Sequence, residues 1–115
     1  NRSGPMTIGA SQLGMFAKSD PSLELPDLQW HVQPMSMDTL GATKNHDLHA
    51  FTPTVSNIRP TSRGHVKLQS ANIEDQLLIE PNYMSTKQDW EIMRRAMRLG
   101  HKLLSQKAFK KFHFK

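Results

Sequence analysis

At Ser85 the hydrophobic pattern of this chain changes period. Beyond it, Met93, Ala96, Met97, Gly100, Leu103, Leu104 and Ala108 recur three and four residues apart. That spacing lines one face of a helix. Ser85 with Gln88, or Thr86 with Asp89, supplies a capping box at its start. Asp89 and Glu91 near the start, and Lys102 and Lys107 near the end, suit the helix macrodipole. A helix is predicted over about residues 86–106. Gly100 costs such a helix about 1 kcal/mol against alanine, so close packing at that point is expected to explain it.

Ahead of Ser85 the apolar residues come in short runs broken by prolines and glycines. Residues 13–18 read as a short strand. Residues 27–37 alternate, with Trp30, Val32 and Ser36 on one side and His31, Gln33, Met35 and Met37 on the other. Pro34 has no N–H to give a ladder, so that strand is expected to be an edge or to bulge there. Residues 48–58 form a further strand, with Pro53 marking an edge or bulge. The run Arg59-Pro60-Thr61-Ser62-Arg63-Gly64 is a turn, after which residues 65–70 return as a hairpin partner. Strands first and one long helix last give an α+β fold: an antiparallel β-sheet with the C-terminal helix packed on one face.

The chain has 115 residues and no cysteine, which removes disulfides, thiol catalysis and cysteine metal sites together. No apolar run approaches the ~20 residues of a membrane span. The net charge of +5 is unevenly placed. Eight of the fifteen basic residues lie from Arg94 onward with no acid among them, and the first 93 residues carry more acid than base. Basic side chains interleaved with Phe109, Phe112 and Phe114 are what a single-stranded nucleic-acid binder would use. The favoured reading is a solvated helix face followed by aromatic anchors that have lost their packing partners, with no nucleic-acid partner. The chain opens on Asn1-Arg2-Ser3 and stops within a basic-aromatic run. Both ends read as cut, and a fragment is expected.

Six histidines are the candidates for chemistry. His46 and His49 sit at a loop-to-strand boundary, where a three-residue spacing points them apart, and no metal site is expected. His65, His101 and His113 read as surface residues. His31, mid-strand beside soft apolar residues, reads either as the wall of a ligand cavity or as a hydrogen-bonded core histidine. No Ser–His–Asp spacing, carboxylate pair or phosphate loop is legible. Gly4, Gly9 and Gly14 do not make a dinucleotide fingerprint.

Taken in order, Ser3-Gly4-Pro5, Gly14-Met15-Phe16-Ala17-Lys18-Ser19, Pro26-Asp27-Leu28-Gln29-Trp30-His31, Arg59-Pro60-Thr61-Ser62-Arg63-Gly64-His65-Val66 and Pro81-Asn82-Tyr83-Met84-Ser85 followed by Asp89 resemble the glucose–methanol–choline (GMC) family of flavin oxidoreductases. The resemblance covers about residues 2–110 and is closest to the choline dehydrogenase and alcohol dehydrogenase branch. It implies that residues 1–115 are a fragment of the C-terminal, substrate-binding domain, and that the FAD-binding domain is absent. In such enzymes an alcohol loses hydride to FAD while a histidine takes the hydroxyl proton.

None of the six histidines matches that catalytic position, which lies beyond the long helix, so no catalytic and no cofactor-binding residue is assigned. The resemblance carries over only a cavity wall. His31 occupies the position whose histidine faces the substrate in the choline-oxidising branch. Met37 stands where that branch has an aromatic residue. Trp30 faces the other way and is expected to pack under the helix. The implied partners are a small alcohol and the FAD-binding domain of the same parent chain, in a cytoplasmic or membrane-peripheral protein. The fragment itself is expected to be inactive, to bind no FAD, and to self-associate through surface the parent covers. A stand-alone binding module without redox activity is the alternative.

Overall fold

The computed structural model describes residues 3, 7, 9, 11–38, 44–48 and 50–112. Strands β1 (Leu13–Ala17), β2 (Leu28–Gln33) and β3 (Thr52–Asn57) form an antiparallel sheet in the order β1-β2-β3. Helix α1 (Lys87–Leu104) packs on that sheet, and a 3₁₀ segment, Lys107–Phe112, follows it. The expected α+β arrangement is what the chain adopts.

A second sheet was not anticipated. Strand β4 (His65–Lys67) does not return along β3. It pairs with β5 (Leu78–Glu80) as a separate two-stranded ribbon. The reason lies in the turn before it. Thr61 and Ser62 are bonded to Asp89 of α1, which draws the chain toward the helix and away from the β3 edge. The other strand expectations shift at the prolines. β2 is the central strand, paired on both sides, so Pro34 neither sits on an edge nor bulges but ends the ladder at Gln33. Pro53 lies in β3, whose outer side is free among the described residues, as an edge proline should.

The core is thin. Leu28, Trp30, Ile92 and Ala96 are buried, with Ala17, Val55 and Leu99 packed partly against them. The helix face that meets the sheet keeps part of the expected stripe and turns away from the rest. Ala96 and Gly100 are buried as expected, Ile92 is buried beside them, Met93 is half-buried, and Met97 is exposed. Both rows satisfy a three-and-four spacing. Anchoring of Asp89 and the need to seat Trp30 select between them. A Cβ on Gly100 would lie 2.5 Å from Trp30 Cη2, so glycine is what lets helix and indole touch. Trp30 thus packs under the helix as expected. Its Nε1 is buried and has no hydrogen-bond partner among the described residues.

Arg94, Arg95, Arg98 and Lys102 lie on the solvated side of α1, and Arg95 pairs with Asp20 at 2.8 Å. Phe109 has not lost its partner: it stacks on Phe51 with ring centroids 5.8 Å apart. The Phe112 side chain, His113 and Phe114 lie outside the described residues.

Two carboxylates fasten this frame. Asp27 is buried, and it accepts from the Ser19 backbone N–H at 2.6 Å and the Ser19 hydroxyl at 2.5 Å, closing the loop between β1 and β2. Asp89, buried in the first turn of α1, accepts from the backbone N–H groups of Thr61 and Ser62, each at 2.9 Å. It also accepts from both their hydroxyls and, at 3.4 Å, from Asn57 Nδ2. The Ser62 hydroxyl in turn accepts from the N–H groups of Ser85 and Thr86, and Thr86 Oγ1 accepts from Asp89 N. Only half of the expected Thr86–Asp89 capping box therefore forms. The Asp89 carboxylate turns to residues 57–62, and Ser62 supplies the missing half.

Candidate functional site

Strand alternation leaves one face of the three-stranded sheet under α1 and the other open. The open face carries Gly14 and Phe16 from β1, Gln29, His31 and Gln33 from β2, and Thr52, Thr54 and Ser56 from β3. His31 stands at its centre, opposite Gly14 on one side and Thr54 on the other. Gly14 has no side chain, so the imidazole is unflanked on that side. It is half-buried, and no side chain among the described residues hydrogen-bonds it.

Met37 is half-buried but is not on β2. The alternation that grouped it with His31 stops at Pro34. What positions Met37 is a set of contacts that the sequence did not reveal. Thr52 Oγ1 donates to the Met35 carbonyl at 2.7 Å, and His46 N donates to the Ser36 carbonyl at 2.8 Å. The His46 ring bridges Ser36 Oγ (3.0 Å from Nδ1) and Asp38 Oδ1 (2.9 Å from Nε2). His46 is thus a half-buried pin across the segment that carries Met37.

A serine, a histidine and an aspartate in hydrogen-bonding order invite comparison with a nucleophilic triad. Asp38 is 91% exposed, however, and a carboxylate in bulk water gives little stabilisation to an imidazolium. The cluster holds a loop. His49 lies outside the described residues, and those residues contain no group of three potential ligands arranged around a metal position.

Two cavities flank the helix. One, of about 440 Å³, lies between the 19–27 loop and α1, with the Asp20–Arg95 pair, Glu24, Arg59 and Glu91 on its walls. The other, of about 290 Å³, is apolar and is framed by Leu13, Val32, Phe51, Leu103 and Phe109. His31 and Met37 line neither.

The three-stranded sheet thus has one face covered by α1 and a more polar face that the described residues leave open. Residues 60–115 match the GMC oxidoreductase family. The chain is 36% identical over 104 residues to mitochondrial choline dehydrogenase of Mus musculus, covering 90% of this chain and 17% of that protein. It is 33% identical over 112 residues to oxygen-dependent choline dehydrogenase of Citrobacter koseri, covering 95% of this chain and 20% of that one. Over 114 residues it is 33% identical to an acceptor-dependent alcohol dehydrogenase of Pseudomonas putida, covering 99% of this chain and 20% of that protein. Pyridoxine 4-oxidase from Mesorbium loti shares the fold, with a TM-score of 0.72 at 20% identity over 85% of this chain and 20% of its own. The chain belongs to the GMC oxidoreductases, as part of their C-terminal domain. It spans about a fifth of the length of the curated relatives it matches.

Proposed function

We propose that these residues are part of the substrate-binding domain of an FAD-dependent alcohol dehydrogenase of the choline-oxidising kind. In that reading the open sheet face forms one wall of the cavity that holds the alcohol. The observation that carries the reading is the match to choline and alcohol dehydrogenases at 33–36% identity along nearly the whole chain. When bound, FAD supplies the acceptor for hydride leaving the carbinol carbon.

The described residues do not themselves fit that cofactor. The N-terminus of a helix is where a diphosphate would be held. Here the N–H groups of Thr86 and Asp89 at the start of α1 are taken by the Ser62 and Thr86 hydroxyls, and the Asp89 carboxylate beside them would repel a diphosphate. FAD therefore belongs to polypeptide outside these residues. We expect the 115 residues alone to bind no flavin and to oxidise nothing. Residue by residue, His31 offers an unpaired imidazole to the substrate, and Met37 offers a soft apolar contact in place of an aromatic one. The described residues contain no helix long and apolar enough to cross a membrane, and a cytoplasmic or membrane-peripheral parent is our reading.

The test is made on the full-length chain that contains these residues. Bound flavin and alcohol-dependent reduction of an artificial electron acceptor are the expected results. A colourless protein, or one inert toward choline and simple alcohols, overturns the reading. In the active protein, His31→Ala is expected to raise KM for the alcohol about tenfold with kcat little changed, the signature of lost ground-state binding. An unchanged KM removes His31 from the wall. Met37→Phe is expected to lower KM for a quaternary-ammonium alcohol by a few fold, through a cation–π contact of about 1 kcal/mol. A KM unmoved by that change takes Met37 out of contact with the substrate.

A further inference from the structure

We propose that the apolar cavity at the end of α1 holds the hydrocarbon chain of a medium-chain fatty carboxylate, with lysines of α1 and of the 3₁₀ segment holding its head. The sheet builds the floor. Leu13, Val32 and Pro53 stand in register across β1, β2 and β3, so they form one row on the face beneath the helix. Leu103 and Leu104 of α1 and Phe109 of the 3₁₀ segment wall that row, and Phe51, stacked on Phe109, completes the frame. The volume is about 290 Å³. At about 30 Å³ per water-sized group, that is room for roughly ten heavy atoms.

The lining selects for carbon. Pro34 and Pro53 lie on the walls and bring no N–H. Among the lining residues Gln12 alone has a polar side chain, so water finds few partners there. Leu13 is 67% exposed, and Val32, Phe51, Leu103 and Phe109 are only half-buried. That apolar surface stays in contact with water unless a guest covers it.

Charge sets the head group. Lys102 adjoins Leu103, and Lys107 and Lys110, three residues apart, share one side of the 3₁₀ segment next to that of Phe109. All three are exposed, and no carboxylate among the described residues pairs with them. None lines the cavity either. The carbonyls at the end of α1, which would oppose an anion, are already engaged. Ser105 N and Oγ donate to the His101 carbonyl, and Gln106 Nε2 donates to that of Lys102. A small anion gains little from exposed lysines, and a plain alkane has nothing to orient it. A hydrocarbon chain ending in a carboxylate uses both features. A quaternary-ammonium alcohol has the wrong charge here, so this cavity serves a different ligand from the proposed substrate. A nucleic-acid strand would need free aromatic faces, and Phe109 is already stacked on Phe51.

Isothermal titration of the full-length chain with octanoate, which matches the cavity in size, tests this beside methyl octanoate, its neutral ester. One octanoate per chain is expected, bound about tenfold more tightly than the ester. The double change Lys107→Gln and Lys110→Gln, confined to exposed side chains, is expected to weaken octanoate about tenfold and leave the ester unmoved. Leu13→Trp, at a mostly exposed position, puts a large ring into the cavity and is expected to abolish both. Absence of octanoate binding overturns the proposal, because other polypeptide of the parent then fills the space. Octanoate binding that survives Leu13→Trp also overturns it, because the ligand then sits elsewhere. Equal affinity for acid and ester, or for native chain and lysine variant, overturns the assigned head group even if Leu13→Trp fails to fold. None of these outcomes depends on bound flavin, so the flavoprotein reading stands or falls separately.

Discussion

Asp89 carries more of the architecture than any other single side chain described. The hydroxyl of Ser62 and the backbone N–H of Thr61, with their neighbours, hold its carboxyl well below the usual carboxylate range. The folded-state pKa is depressed, so the stability it confers is fully present above the ordinary carboxylate pKa. It is lost only as pH falls below about 4 and on through the folded value. Acid titration of the full chain by circular dichroism is expected to show that loss for the native sequence. Asp89→Asn is expected to be less stable at neutral pH and flatter across the acid range. A variant with the native acid profile would remove Asp89 from the account. At Gly100 the helix would gain about 1 kcal/mol from alanine, but forcing a methyl into a packed indole costs about 1–3 kcal/mol. Gly100→Ala is therefore expected to lower the urea midpoint, and a raised midpoint would show that Trp30 gives way.

At the level of elements, α1 depends on a borrowed cap. Thr86→Ala removes the acceptor for Asp89 N and is expected to cost about 1 kcal/mol in chemical denaturation. Ser62→Ala should cost at least as much, because its hydroxyl serves Ser85, Thr86 and Asp89 together. Local patterns sufficed for much of this layer. The 3.6-residue period gave α1, alternation gave β2, and short apolar runs broken by prolines and glycines gave β1 and β3. What was not legible joins residues far apart in the chain. The spacing of Met93 and Met97 is as regular as that of Ile92 and Ala96, and the long-range bonds of Asp89 to residues 57–62, with the seating of Trp30 against Gly100, turn the latter inward. The ribbon follows from the same bonds. His46 reaches Ser36 and Asp38 across a loop, a pairing with no sequence periodicity to announce it.

At the scale of the molecule, the four buried apolar side chains among the described residues are too few to seal both sheets, and Leu13, Phe16, Leu68 and Ile73 remain in water. Prepared alone, the 115 residues are expected to self-associate, with a sedimentation coefficient that climbs with concentration. A strictly monomeric profile at millimolar concentration would contradict that. The junction of Ser62 with Ser85 and Thr86 has a further consequence. The stretch from 63 to 84 leaves and re-enters the fold at one point, and its base is fastened by Asn82 to Arg63 as well. Peptide-bond continuity at its tip is therefore dispensable. A protease cut near Ile73 should yield two pieces that travel together under native conditions and separate only when the fold is lost.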